Sequence, residues 1–429
     1  MKKLCIFVLN DVINDPRVQK EAETAADAGF EVSVVGTRSA RSKSYEETGK
    51  YRIIRLNEGG FCKIIEDTYD KFLALLSNAY HFWKVKKSRS SEETSPLVKV
   101  KQSVLRLATE IKFYLYLLGI SFNMNKEAKK IKADLYHATD LPMLIPAFLA
   151  SRKIGTKYLY DSHELYVGMN PERTKTYDFI CGLIERLLIK RAGKVVTVNS
   201  MYAKELSRRY RIKKPEVVMN CPKYQRSPSL SKLDKERFKK SLNIPENSRI
   251  ILYQGRYELG RGLEELIESA QYLIDATILL RGYGINETHL RLQVERSGFT
   301  DKVKFLRPVS MRELVASAAI ADIGVIPYRN YSLGYYYASP NKLFEYMMAG
   351  LSLAVSNLPV MEKIVKETET GVCFNPDDPE DIARKLNRLI RDRTFLQKCR
   401  NNALFYAQKV YNWENEGKKL INLYHKILS

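Results

Sequence analysis

Short apolar runs alternate with helically spaced apolar positions along most of the chain, and the alternation comes in two series. The first opens with the run Leu4 to Leu9, a polar loop, and a segment from about Arg17 to Ala28 in which Val18, Ala22 and Ala25 fall on one helical face. Gly29 reads as a helix stop and Phe30 to Val35 as the next strand. Further runs at Arg52 to Leu56, Ala133 to His137, Lys157 to Tyr160 and Lys194 to Val198 predict a parallel sheet covered by helices. Between them, Asn57 to Lys132 carries Phe61, Ile64, Ile65, Phe72, Leu73, Leu76, Tyr80 and Trp83 at helical spacing, so helices are expected there.

A second series begins after Asn220, Cys221 and Pro222, where a polar segment runs to Lys240. Ile250 to Tyr253, Thr277 to Leu280, Lys304 to Leu306, Ile323 to Ile326 and Ser352 to Val355 are its strands. A chain of 429 residues is too long for one compact core, so two doubly wound α/β domains are expected. Open sheets of this kind bind ligands outside the carboxyl ends of their strands, which turns attention to the strand-to-helix loops.

Three such loops in the second series carry unusual residues. Tyr253 to Gly262, YQGRYELGRG, combines Gly255, Arg256 and Arg261 ahead of a helix from Leu263 to Ala270. Glycines admit close backbone approach, and the arginines can form charge-assisted bonds to a diphosphate. Arg281 to Gly284, RGYG, reads as another close-approach turn through Gly282 and Gly284. Pro327 to Gly350 leads through Ser339 and Pro340 into a helix bearing Asn341, Lys342 and Glu345. A carboxylate such as Glu345 is costly to bury unpaired; a ribose diol would satisfy it, as would an intrahelical or surface partner.

These segments resemble the retaining glycosyltransferases of family 4. The resemblance runs over nearly the whole chain and implies the GT-B fold, two Rossmann-like doubly wound domains facing across a cleft. The domains would be 1–220, with a helical insertion at 57–132, and 221–408; 409–429 would be a C-terminal helix able to pack back on the first domain. On this resemblance Arg256 and Arg261 hold the donor diphosphate, with Lys342 and nearby backbone in support, and Glu345 holds the ribose hydroxyls. The segments YHATD and YLYDSHEL direct His137, Asp140, His163 and Glu164 toward the cleft, and His163 matches the family's active-site histidine.

The sequence also departs from the family. Tyr337 stands eight positions before Glu345, where a second glutamate is frequent, so the usual contact to the donor sugar is missing. The family's glycine pair after the first strand is replaced by Asn10 to Val18, NDVINDPRV, in which Arg17 can reach a phosphate or simply begin a helix. The implied reaction is retaining transfer from a UDP- or GDP-type donor to a saccharide or lipid-linked acceptor, in polysaccharide or glycolipid synthesis, without a cofactor or metal. The alternatives are a nucleotide-sugar epimerase or hydrolase on the same scaffold and, of another class, a basic nucleic-acid- or membrane-binding protein with a decayed sugar site.

Charge adds a second theme. A formal net charge of +22 calls for an anionic partner, and no nucleic-acid module is recognisable. Lys84, Lys86, Lys87, Arg89, Lys99 and Lys101 cluster beside the aromatic-rich stretch, a pattern that suits an anionic membrane surface or merely solvated charges. No apolar run approaches the roughly 18 to 20 residues of a membrane span. Six cysteines without CxxC spacing suit reduced thiols, so a cytoplasmic location, peripheral on the inner face of the cell membrane, is expected.

Overall fold

The computed structural model describes residues 1–57, 64–71, 74, 96–169, 173–226 and 231–429. They form two compact units: Met1–Thr197 with Leu206–Glu216 and Leu420–Ser429, and Val198–Glu205 with Val217–Lys419. Val198–Glu205, assigned from sequence to the first domain, counts with the second unit. Its Asn199 amide donates to the Tyr337 carbonyl at 3.0 Å and to Ser339 Oγ at 3.1 Å, and Tyr202 donates to the Gly334 carbonyl.

The first unit is built on β1 (Lys3–Phe7), β2 (Glu31–Thr37), β3 (Tyr45–Glu47), β4 (Arg52–Leu56), β5 (Leu135–Thr139), β6 (Lys157–Ser162), β7 (Lys194–Thr197) and β8 (Glu216–Val217). Their order is β3-β4-β2-β1-β5-β6-β7-β8, with β3 antiparallel to β4 and parallel pairing from β4 through β7. The order reverses between β2-β1 and β5-β6, so the loops after β1 and β5 flank a topological switch point. Into the first of these loops leads the helix Pro16–Asp27, started by Asp15 accepting from Val18 N at 3.1 Å and by Pro16, and stopped at Gly29.

The second unit repeats the plan with β9 (Arg249–Arg256), β10 (Ala276–Tyr283), β11 (Val303–Leu306), β12 (Ile323–Ile326), β13 (Ser352–Ser356) and β14 (Gly371–Phe374), ordered β11-β10-β9-β12-β13-β14. Its switch point lies between β9 and β12. Apolar patterning located most strands but stopped short at several carboxyl ends, furthest in β9 and β10: Gln254, Gly255 and Arg256 remain in β9 because they pair with Arg281, Gly282 and Tyr283 of β10. The segment RGYG is therefore largely strand, not a turn. Polar residues are held in strands here by the partner's hydrogen bonds, which no run of hydrophobicity announces.

Within the expected helical insertion, one helix runs from Pro96 to Ile131, 36 residues. Phe61, Phe72, Leu73, Leu76, Tyr80, Trp83 and the basic residues Lys84 to Arg89 lie outside the described residues. Along the helix Leu107, Ile111, Leu118 and Phe122 are exposed, Phe122 by 74%. No helix among the described residues is long and apolar enough to cross a membrane.

Candidate functional site

At the β9/β12 switch point the second unit gathers cations that rest on aromatic rings. Lys342, in the first turn of the helix Asn341–Met348, is buried, with Nζ 3.9 Å from the centre of the Tyr253 ring and 5.2 Å from that of Tyr328. A Cβ on Gly255 would stand only 2.6 Å from that ammonium, so glycine is what leaves room for it. Arg261 lies 4.6 Å from the Tyr328 ring centre and 5.2 Å from that of Tyr335. Such stacking stabilises a cation without neutralising it. Burial, and then the neighbouring Arg261, push the Lys342 pKa well below the ordinary lysine range, so an anion placed beside it would favour its charged form.

Among the described residues, the carboxylate facing both arginines is Glu258, whose Oε1 is 2.5 Å from Arg256 Nε and whose Oε2 is 3.2 Å from Arg261 Nη2. Arg256 is more than half exposed and also lies 5.6 Å from the Tyr283 ring centre. Glu345, one turn beyond Lys342, is half-buried, and its Oε2 accepts from Gln254 Nε2 at 3.2 Å. That partner comes from β9, not from the same helix or the surface. Ser339 is held by Asn199, while Asn341 is exposed.

The predicted glycines divide by what approaches them. A Cβ on Gly282 would fall 1.8 Å from the Gly255 carbonyl oxygen, and one on Gly284 would fall 2.2 Å from that of Tyr257. Their close approach is to protein backbone, because β9 and the turn after it occupy that space. Gly262, at φ 65°, tucks the loop beneath Pro327, and the Arg329 amide donates to the Gly260 carbonyl at 2.9 Å, so the loops after β9 and β12 are knit together.

The first unit's switch point is built from ion pairs. Arg17 is 3% exposed; its Nη2 donates to both oxygens of Asp161, at 3.1 and 2.8 Å, and its Nε is 2.8 Å from Glu21 Oε1. The guanidinium is thus engaged by two buried carboxylates and is not presented to a phosphate. His137 is fully buried within β5, with Nδ1 2.7 Å from the Tyr424 hydroxyl and Nε2 3.5 Å from Asp161 Oδ2. The register pairs Thr139 with Asp161, which sets His137 and Asp161 on the same face of the sheet. His137 therefore belongs to the core, two residues before the end of β5 rather than at the strand end where sequence placed it.

His163 is 18% exposed and is the group of this cluster nearest solvent together with Asp140 and Glu164. Its Nε2 is 3.1 Å from Asp161 Oδ2 and its Nδ1 3.7 Å from Asp140 Oδ2. Asp140, at φ 61°, ties down the segment after β6 by accepting from His163 N at 2.8 Å and Glu164 N at 3.2 Å. Burial opposes charge on His163, yet Asp161 and Asp140 outweigh it and raise the imidazole to about 9. Burial likewise tends to raise Asp161, but Arg17 and His163 hold it well below the usual carboxylate range. Glu21, His137 and Asp161 place ligand-type atoms within 4.8 Å of one another. Arg17 already supplies positive charge to both carboxylates of that group.

Sequence reasoning did not find Asp161, Glu21, Glu258, Gln254 or Tyr424. Asp161 stood in the quoted segment YLYDSHEL, and the spacing of Arg17 to Glu21, four residues on one helical face, was a usable signal. Nothing local marked Tyr424, which meets His137 across 287 residues of chain.

Residues 17–221 match the sequence profile of Glycosyltransferase Family 4, and residues 234–404 that of Glycosyl transferases group 1. An uncharacterized glycosyltransferase of Methanocaldococcus jannaschii, MJ1607, is 27% identical over 201 residues, covering 46% of this chain and 50% of that protein. The GDP-mannose:cellobiosyl-diphosphopolyprenol alpha-mannosyltransferase of Xanthomonas campestris is 27% identical over 186 residues, covering 42% of this chain and 47% of that enzyme. The chain thus spans about half the length of these relatives. Among solved structures, Anabaena Alr3699/HepE in complex with UDP and glucose superposes with a TM-score of 0.69 at 14% identity, over 99% of this chain and 100% of that one. The fold is GT-B.

Proposed function

The chain belongs to glycosyltransferase family 4, and from that premise we propose that it moves a sugar from a nucleoside-diphosphate donor to an acceptor hydroxyl with retention of configuration. The observation that carries this reading is the cation group at the β9/β12 switch point. Lys342 and Arg261 rest on tyrosines, and Glu258 is the sole carboxylate paired with either arginine in the described residues. An arriving diphosphate would provide the missing negative charge. As the bond to the sugar breaks, negative charge grows on that diphosphate, and fixed cations stabilise it without reorganising.

Arg256 and Arg261 are assigned to the leaving diphosphate, Lys342 to its support, and Glu345 to the ribose hydroxyls, with Gln254 orienting the carboxylate. His163 is assigned to the sugar and phosphate side. The reaction needs no metal in this reading, since the positive charge it calls for is supplied by side chains. A UDP- or GDP-sugar donor is supported by the UDP and glucose bound in the Anabaena structure and by the GDP-mannose enzyme among the relatives.

The acceptor is a saccharide or lipid-linked saccharide at an anionic membrane surface, on the cytoplasmic side. The net charge of +22 and the exposed Leu107, Ile111, Leu118 and Phe122 on the helix Pro96–Ile131 support that placement. A thermal-shift panel of UDP-, GDP- and ADP-sugars tests the donor, because a ligand that binds the folded state raises its melting temperature by mass action. Stabilisation by one nucleotide series, followed by an acceptor adduct of retained configuration, is expected. Absence of any shift across the panel would end the donor reading, and release of an altered free nucleotide-sugar with no adduct would favour an epimerase.

A further inference from the structure

We propose that Asp161 is a positioning residue that holds His163 as a fixed imidazolium, with Arg17, His137 and Tyr424 fixing Asp161 from behind. The inference rests on the assignment of His163 to the sugar side and adds the device that sets its charge and orientation.

Both ring nitrogens of His163 face carboxylates, Nε2 toward Asp161 at 3.1 Å and Nδ1 toward Asp140 at 3.7 Å. A neutral imidazole has one donor nitrogen and one acceptor nitrogen, and an acceptor aimed at a carboxylate is repelled. Two carboxylates on opposite sides of one ring therefore select the doubly protonated form. Asp161 is fully buried, and each of its oxygens receives Arg17, which pins the carboxylate plane. Arg17 is in turn braced by Glu21 at 2.8 Å.

Behind Asp161 stands His137, whose Nε2 lies 3.5 Å from Asp161 Oδ2 and whose Nδ1 shares a 2.7 Å hydrogen bond with the Tyr424 hydroxyl. The groups facing His163 are thus Asp161 from β6, Asp140 after β5, Arg17 and Glu21 from the helix Pro16–Asp27, and the adjacent Glu164; burial and Arg17 oppose its charge, and the carboxylates favour it. His163 acts as a fixed positive charge toward the departing phosphate and not as a proton acceptor, so its site works while the imidazolium persists, below about pH 9.

The chain has five histidines, few enough to follow His163 by its imidazole resonances in NMR. Wild-type protein should show one histidine titrating near pH 9, absent in His163→Gln. Asp161→Asn should lower that midpoint by more than one pH unit and move the alkaline limb of kcat/KM for donor turnover with it. An unchanged midpoint in Asp161→Asn overturns the proposal. If Asp161→Asn fails to fold, Asp140→Asn carries the same test: its midpoint must fall, and an unmoved midpoint is again fatal. The titration is read without donor or acceptor, so it can fail while transfer is confirmed, or hold while no donor is turned over.

Discussion

At one switch point, between β1 and β5, Arg17, Glu21, Asp161, His137 and His163 answer one another's charges within a buried cluster; at the other, between β9 and β12, Lys342 and Arg261 lie against tyrosine rings. The strand order around both is the same. Charges matched internally serve the fold, because removing one leaves its partner stranded. Cations set on aromatic faces are kept in place but left available to an anion that is not part of the chain. On the proposed function, the same topology yields a brace in one unit and a receptor in the other.

The sharpest way to break this contrast is to remove one cation from each. Arg17→Ala leaves Glu21 and Asp161 buried without their counter-ion and should cost about 3 to 5 kcal/mol of stability in urea melts. Arg261→Ala should cost well under that, and equal losses would abolish the distinction. The brace also has a pH signature. His163 is raised in the folded state from about 6.5 to about 9, so its stabilisation is complete below about pH 6.5 and is lost as pH rises through 9. The stability difference between wild type and His163→Gln should shrink by up to about 3 kcal/mol over that window.

For the receptor, Lys342→Met removes a buried amine whose protonation is opposed by burial and by Arg261, so stability should hold or rise. Nucleoside-diphosphate affinity should fall by about 10 to 150-fold, the equivalent of about 1.5 to 3 kcal/mol for a charged contact. Urea melts read the first arm and isothermal titration the second, and wild-type affinity would remove Lys342 from the donor site. The smallest effect is expected at Glu258, which occupies the arginines when no diphosphate is present. Glu258→Gln should tighten nucleoside-diphosphate binding a few-fold, by roughly 1 kcal/mol; weaker binding would mean the carboxylate orients the arginines instead.

The second unit was the more legible from sequence. Its loop after β9 carries glycine and arginine close together, and the helix after β12 carries Lys342 and Glu345 three apart, so local spacing already gathers them. What escaped was the tyrosine setting, because Tyr253 lies on a strand, Tyr328 and Tyr335 on a loop and a short helix, and only the fold stacks them around cations. In the first unit the residues were visible but their meaning was not. Arg17 and His137 have the composition of a binding site, and they become a core because Asp161, on β6, reaches both. Sequence order separates Arg17 from Asp161 by 144 residues, which hides the pairing.

One further contact bears on how the polypeptide is made. Tyr424, near the end of the helix Trp413–Leu428, packs edge-on against Phe30 and closes on His137, while the carbonyl of Ile427 accepts from Lys157. A ribosome that has released β1 through β7 has therefore not yet supplied the last piece of their core. The first half of the message must wait, with its buried histidine uncovered, until the codons for Trp413–Leu428 are read; quality control acting on the nascent chain would meet that half incomplete while the second unit is being made.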